Sequence, residues 1–284
     1  MKILILSFLV FIQCIACSQQ APVTTASLVF KSDDGGKTWK DVSAGLPINS
    51  EISRTFSKEE NTFLETQNGV FSSNITTLIP VWQKDSMPKE SRDNGYPNPM
   101  NVCTFTDSKG TVKQIRGTRT GIWKSDDDGK TWRKVYKEGW GMEVVESEGV
   151  LIANSLKGIM RSTDDGESWE LVVSDGGAGI DVEVVKGGFA AITSKTESRA
   201  RKLHISKDGG KNWEAIDAGL PPNETISCIK EVGESFICGH PKGLFRSDDQ
   251  GKTWKLSLPT IGKKVFYFSV LGKSIFAVLR KPGC

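Results

Sequence analysis

The sequence predicts an all-β chain closed into a six-bladed β-propeller of four-stranded antiparallel blades, and three observations carry that prediction. The first is an octamer, Ser-x-Asp-x-Gly-x-Thr-Trp, at Ser32–Trp39, Ser125–Trp132, Ser162–Trp169, Ser206–Trp213 and Ser247–Trp254, with Ser168 and Asn212 in place of Thr in the third and fourth copies. The copies start 93, 37, 44 and 41 residues apart, so the first gap holds two steps of the period. Ser72–Trp82 is the expected eroded copy, because Gly69-Val70-Phe71 precedes it as Gly121-Ile122-Trp123 precedes Ser125. The second observation is that alternating, β-branched runs fill the intervals between copies, as strands do. The third is that the ends are complementary. Leu28–Val42 is an octamer with no hairpin before it, and Val265–Val270 with Ser274–Leu279 is a hairpin with no octamer after it. Joined, they make a composite blade that removes the exposed sheet edges.

Each unit reads as the same meander. Met142–Glu146 and Val150–Asn154 form a hairpin about Glu148-Gly149, Ile159–Ser162 enters the octamer, and Trp169–Val173 leaves it. Val102–Val135, Val182–Ile216 and Ile226–Leu256 follow that grammar, and Arg54–Gln83 follows it more loosely. In the octamer, Ser and Asp side chains suit bonding to turn N–H groups, Gly takes the positive φ that a Cβ resists, and Trp is expected to bury its indole against the preceding strand. On this reading Asp34, Trp39, Asp127, Trp132, Asp164, Trp169, Asp208, Trp213, Asp249 and Trp254 build corners. No metal ligands or cofactor are assigned. The acidic run Asp126-Asp127-Asp128 is the one place where a weakly held cation is conceivable.

These octamers resemble the Asp-box, or BNR repeat, of sialidases and of other propellers such as the photosystem II assembly factors, the sortilin ectodomain and some glucan hydrolases. The resemblance covers the chain from about residue 27 to its end. It implies that the boxes are peripheral turns and that a ligand meets the opposite face.

The amino terminus reads as an export leader. Lys2 precedes the apolar run Ile3–Ile15, and Cys14-Ile15-Ala16-Cys17 resembles a bacterial lipobox, with Cys14 where Leu is usual. Residues 1–16 are therefore expected to be a signal peptide, Cys17 the acylated residue, 17–26 a tether and 27–284 the propeller. That places the chain on the periplasmic or cell-surface side of a bacterial membrane as a lipoprotein. Export bears on the remaining thiols, because Cys228 and Cys238 lie symmetrically about Gly233. A Cys228–Cys238 disulfide across that hairpin and two reduced core thiols are both open readings.

Composition narrows the partners. A formal charge of +3, from 37 basic and 34 acidic residues, calls for no nucleic acid. Turns after second and fourth strands share the face away from the boxes. There the variable loops carry Arg92, Tyr96, Arg119, Trp140, Lys157, Arg199, Arg201, His240 and Lys242, a set that would favour an anionic ligand. The loop Lys84–Asn101 exceeds normal connections and reads as a functional insertion.

The sialidase pattern implies an Arg-Ile-Pro-like element before the first box, a three-arginine clamp, an Asp acid/base and a Tyr nucleophile paired with Glu. No Arg-x-Pro precedes Ser32, and Tyr267 falls on a predicted inner strand, where it reads as core. The sequence therefore points to a non-catalytic, membrane-tethered binding or assembly module that recognises a protein or glycan, anionic in character, through the face opposite the boxes. An exo-sialidase-like or other glycoside hydrolase using two carboxylates is the alternative.

Overall fold

The computed structural model describes residues 27–281 apart from 59–60, 75–76, 78–79, 87–101, 108, 119, 138–142, 199, 223–224, 263 and 272–273. Among these residues there is no helix, and six antiparallel four-stranded sheets form the blades of a β-propeller. Blade 1 holds β3 (Ile52–Lys58), β4 (Asn61–Thr66), β5 (Gly69–Asn74) and β6 (Gln83–Lys84). Blade 2 holds β7 (Val102–Thr106), β8 (Val112–Thr118), β9 (Gly121–Ser125) and β10 (Arg133–Tyr136). Blade 3 holds β11 (Val144–Ser147), β12 (Val150–Ser155), β13 (Gly158–Ser162) and β14 (Glu170–Val173). Blade 4 holds β15 (Gly179–Val185), β16 (Gly188–Ser194), β17 (Arg201–Ser206) and β18 (Glu214–Ala215). Blade 5 holds β19 (Ile229–Val232), β20 (Ser235–His240), β21 (Gly243–Ser247) and β22 (Lys255–Pro259). Blade 6 is the composite: β23 (Val265–Leu271) and β24 (Ser274–Arg280) continue into β1 (Val29–Ser32) and β2 (Lys40–Asp41), with Phe30 opposite Ala277.

The boxes fold as their residue types dictate. In the first, Ser32 Oγ donates to Asp34 Oδ1 at 2.8 Å and accepts from Gly36 N–H at 2.8 Å. Asp34 also accepts from Thr38 N–H at 2.9 Å and from the Thr38 hydroxyl at 2.6 Å. The same set recurs around Asp127 and Asp249, and Ser168 and Asn212 stand in for Thr at Asp164 and Asp208. The eroded copy keeps only part of the arrangement. Trp82 enters β6 as the other tryptophans enter their fourth strands, whereas Ser72 Oγ turns to Asp85 Oδ2 at 2.8 Å.

The boxes also join neighbouring blades, a role that reaches beyond a peripheral corner. The residue before the box serine is basic in four copies, and each reaches the box region of the next blade. Lys31 donates to Thr77 O at 3.3 Å, Lys124 to Glu167 at 2.7 Å, Arg161 to Gly209 O at 2.7 Å and Arg246 to Gly35 O at 2.9 Å. In return, the box glycine takes an isoleucine from the preceding blade. A methyl added at Gly36, Gly166, Gly210 or Gly251 would overlap Ile237, Ile115, Ile152 or Ile216 respectively. The cores accordingly lie between blades: one spans blades 5, 6 and 1, one blades 4 and 5, one blades 2 and 3, and one blades 3 and 4.

One open reading is decided and one expectation is corrected. Cys228 and Cys238 are both free thiols. The turn pairs Val232 with Ser235, so Ile229 stands opposite Cys238, and Cys228 instead exchanges backbone bonds near Gly239. A register differing by one residue turns a side chain to the other face of its sheet. Cys228 therefore packs in the core toward blade 6 and Cys238 in the core toward blade 4. The correction concerns burial of the box tryptophans. Only Trp254 and the eroded copy's Trp82 are buried, their indoles donating to Ile216 O and Val42 O of the preceding blades. Trp39, Trp132, Trp169 and Trp213 are half-buried, and Trp132 carries the Arg116 guanidinium 3.9 Å above its ring.

The difference in burial predicts unequal consequences. Trp254→Ala should cost about 3–5 kcal/mol in urea denaturation and Trp132→Ala distinctly less; equal losses would contradict the assignment. The box carboxylates predict an acid limb. Asp127 is drawn to about 2, first by the Thr131 N–H and then by the Thr131 and Ser125 hydroxyls. Asp208 is drawn to about 2, first by the Asn212 N–H, and Asp249 to about 2, first by the Thr253 hydroxyl. Because these values lie below that of an unfolded aspartate, about 3.9, their stabilisation is present above about pH 4 and is lost as pH falls toward about 2. Melts of the wild type and Asp127→Asn across that range should converge as the pH falls.

Candidate functional site

The meander puts turns after first and third strands, the boxes included, on one face. Turns after second and fourth strands lie on the other, called here the loop face. Inner strands start at the loop face, so residues early in them gather at the mouth of the ring. Glu143 immediately precedes β11, Asp181 lies near the start of β15, Lys230 is the second residue of β19, and Tyr267 is the third of β23. Arg201 opens β17 and Arg280 closes β24, both at the same end.

These side chains form one connected constellation. Burial, and after it the Asp181 charge, raises the Glu143 pKa well above the usual glutamate range. Asp181 Oδ2 also accepts from the Ile229 N–H at 3.1 Å. Lys230 is ion-paired with Glu183. Burial pushes the Lys230 ammonium toward neutrality, but Glu183 and Asp181 outweigh it, so its pKa rises. Arg201 donates to Ile226 O at 2.6 Å and faces Tyr267 and Asp181; burial lowers its pKa. Arg280 stacks on the Tyr267 ring at 4.5 Å and donates to Ser53 O. The mouth thus presents a half-buried phenol under the Arg280 guanidinium, near Arg201 and the carboxyl groups of Glu143 and Asp181.

Of the residues that sequence singled out for this face, Arg92, Tyr96, Arg119, Trp140 and Arg199 lie outside the described residues, as do Cys17 and the segment 87–101. Lys157 and Lys242 are exposed on loop-face turns. Arg201 is at the mouth rather than in a loop, and it is half-buried. His240 is corrected. It is fully buried, its Nδ1 accepting from Lys242 N–H at 3.1 Å, its Nε2 3.3 Å from Pro221 O, and its ring edge-on to Phe245. It therefore shapes the turn and offers no nitrogen to a ligand.

Sequence reasoning missed Glu143, Asp181, Glu183, Lys230 and Arg280, and it took Tyr267 for core. No local motif marks them, because each comes from a different strand start. The available signal was charge at inner-strand positions where neighbouring units carry apolar residues. It also missed a clasp on blade 4, where Asp175 holds Lys202 at 3.1 Å and accepts from Thr193, with His204 Nε2 at 3.0 Å. Both bonds of His204 fall on Nε2, so the group fastens the loop and does not form a relay of the Ser-His-Asp kind.

On the box face the acidic run has partners throughout. Asp126 pairs with Lys113 at 2.9 Å, Asp127 closes its own box, and Asp128 accepts from Gln114 at 2.8 Å. Among the described residues no group of three His, Cys, Asp or Glu side chains is arranged to hold a metal ion. No described helix is long and apolar enough to cross a membrane.

With this geometry in place, comparison with known proteins is direct. The BNR/Asp-box repeat family matches residues 30–41 and 245–256. The chain carries BNR/Asp-box repeats. No curated protein matches the sequence. Among solved structures, YCF48 bound to a D1 peptide is similar at 15% identity and a TM-score of 0.47, covering 91% of this chain and 89% of that one. YCF48 from Cyanidioschyzon merolae is similar at 14% identity and a TM-score of 0.46, covering 89% of each chain. An ancestral GH74 enzyme is similar at 15% identity and a TM-score of 0.42 over 85% of this chain, which spans only 38% of that enzyme. The propeller architecture rests on the six sheets, and the Asp-box assignment on the matched repeats.

The Lys230–Glu183 pair is partly sheltered, with side-chain exposures of 25% and 22%. Lys230→Met should therefore strand Glu183 and lower stability by about 1–3 kcal/mol. The double variant with Glu183→Gln should recover most of that loss in urea melts; a double variant no more stable than Lys230→Met would show that the pair does not act as a unit.

Proposed function

We propose that this protein is a non-catalytic, membrane-tethered β-propeller that binds a protein or glycan through its loop face, with acylated Cys17 as the tether. One observation carries the binding reading. Ile48, Leu156 and Ile261 are exposed on loop-face connections, at 60%, 51% and 48%, and Lys157 and Lys242 are exposed on the same face. Apolar side chains held in turns and flanked by ammonium groups suit a partner surface that is apolar with acidic margins. The box face is used differently, because its carboxylates are consumed by turns and by bonds between blades. An anionic partner follows from the lysines, and a protein suits the apolar side chains better than a glycan does.

The arrangement at the mouth favours a second reading, glycoside hydrolysis. A glutamate, Glu143, whose pKa is raised by burial and the Asp181 charge, with Tyr267 under Arg280 and near Arg201, is a set of groups that a hydrolase could employ. Against it, Arg201 and Arg280 are already bonded to backbone carbonyls.

A photo-crosslinking residue at Leu156 should trap a partner in the native cell, and one at Val112, on the box face, should not. Glutamate at Lys157 and Lys242 together should weaken capture several-fold, as should raised salt. Equal trapping at both positions would refute the loop-face assignment. Turnover of fluorogenic glycosides, lost in Asp181→Asn, would establish the hydrolase instead. A lipid label that enters the wild type and not Cys17→Ser tests the tether.

A further inference from the structure

The seam between blades 1 and 2 lacks the devices that join the other blades. Counted from Gly69 as from Gly121, Ser72 stands where blade 2 has Lys124, and it bonds Asp85 at 2.8 Å instead of reaching the next box. The glycine of that next box, Gly129, has Gln114 and Trp132 of its own blade as nearest neighbours, where other boxes take an isoleucine from the preceding blade. Among the described residues no apolar cluster spans this seam, whereas one spans each of the other seams.

The face that blade 2 turns to the seam follows from register. Ile115, Ile122 and Lys124 face blade 3. Arg116, Trp123 and Lys134, which pair across β8, β9 and β10, therefore face blade 1. In blade 3 the corresponding positions hold Ala153, Met160 and Leu171, and the first two are buried in the core between blades. Blade 2 puts two cations and an indole there, all half-buried, with Trp132 beside them. The Arg116 guanidinium lies 3.9 Å from the centre of the Trp132 ring, and the Lys134 ammonium 4.9 Å from that of Trp123. Neither cation has an ion-pair partner among the described residues. Arg133, Arg161, Arg201, Arg246 and Arg280 each donate to an oxygen, but the Arg116 Nε–H is buried and meets no acceptor. Glu65, paired with Val70, faces the seam from blade 1 and forms no ion pair among the described residues.

We propose that this seam is a binding cleft for a saccharide bearing a uronic acid, with the carboxylate on the Arg116 guanidinium and the sugar ring against the Trp123 and Trp132 indoles. The cleft is separate from the loop-face turns and does not rest on the reading given for them. A buried N–H without an acceptor costs free energy that an incoming oxygen removes. A carboxylate matches the guanidinium fork in both charge and shape. The way the sheets meet selects a saccharide over a peptide. Blades face each other through side chains, and the backbone groups of β8 and β9 are paired within their own sheet. A peptide finds no strand edge to extend here, whereas a sugar acid is read by aromatic contact and charged hydrogen bonds alone. A ligand entering this seam also displaces none of the basic or isoleucine joints that hold the other blades together.

Trimers of galacturonate, mannuronate and glucuronate, titrated into the full chain with the indole N–H signals followed by NMR, supply the test. At least one trimer should bind saturably and shift the Trp123 and Trp132 signals. Trp169 and Trp213, which pack at joined seams, should stay in place. The methyl ester of that trimer should bind about tenfold or more weakly, and Arg116→Gln should weaken the acid by a similar factor. A peptide rich in aspartate and glutamate, of equal charge, should leave both indoles unmoved. The proposal is overturned if no trimer binds, if acid and ester bind alike, if Arg116→Gln keeps the wild-type affinity, or if the peptide binds at these indoles as tightly as the trimer. If Arg116→Gln does not fold, the indole signals and the ester comparison in the wild type decide.

Discussion

Five of the six blades depend on the hydrogen bonds that a box aspartate makes to the turn around it. Asp127, Asp208 and Asp249 each accept from a backbone N–H four residues on and from the side chain of that same residue. In the boxes of Gly36, Gly166, Gly210 and Gly251 that geometry presents a glycine whose missing Cβ lets an isoleucine of the previous blade dock. It also presents carbonyl and carboxylate oxygens to the basic residue that precedes the previous box. A turn that looks local is thus half of a joint. The repeat is regular because each box must fit both its own sheet and its neighbour, and quasi-one-dimensional arrays propagate by such nearest-neighbour contacts. Blade 4 shows the tolerance of the scheme. Ile205 replaces the basic residue there, and Lys207, one position past the box serine, reaches Gln250 instead at 3.4 Å.

This dependence explains what the sequence revealed and what it hid. Blade number, strand count and the composite closure are all read from box spacing, because the box is local chemistry repeated in every unit. Burial of the tryptophans was not legible in the same way. Trp132 and Trp254 occupy the same box position, and whether an indole reaches the preceding blade, as Trp254 does at Ile216 O, depends on that blade's fourth strand. The Cys228–Cys238 expectation failed on a single residue of register. Gly233 and Glu234 together form the turn, and a symmetric count about Gly233 alone moves every side chain to the wrong face. The basic residues before the boxes were visible in sequence at Lys31, Lys124, Arg161 and Arg246. Their meaning appears only when their partners, in the box region of the next blade, are known.

The charges at the mouth were illegible for a different reason. An innermost strand has one edge with no neighbouring strand, and its backbone groups need partners. In this ring, side chains from elsewhere in the circle supply many of them. Arg201 donates to Ile226 O, Arg280 to Ser53 O, Asn154 to Ile180 O and Ser227 to Phe266 O, while Asp181 accepts from the Ile229 N–H. The polar residues of the mouth are thus placed first by the demands of unpaired strand edges. No spacing rule in the sequence could reveal this, since each donor and its acceptor belong to different units or different strands.

That structural duty bears on what the mouth can recognise. An arginine whose guanidinium already holds a backbone carbonyl is preorganised but has fewer N–H groups to give, and its rotation is restricted. A ligand entering here would meet fixed dipoles more than free charges, and it would compete with bonds that keep neighbouring blades together. Exposed ammonium groups such as Lys157 and Lys242 sit instead on the turns of the loop face, where apolar side chains are also held clear of the core. The physical division is between a rigid centre, where changing a charge disturbs the ring, and a periphery, where charge and apolar surface vary at little cost in stability. Recognition can therefore be tuned at the turns without unsettling the joints that hold the blades, whereas chemistry at the centre would have to borrow groups that the ring already uses.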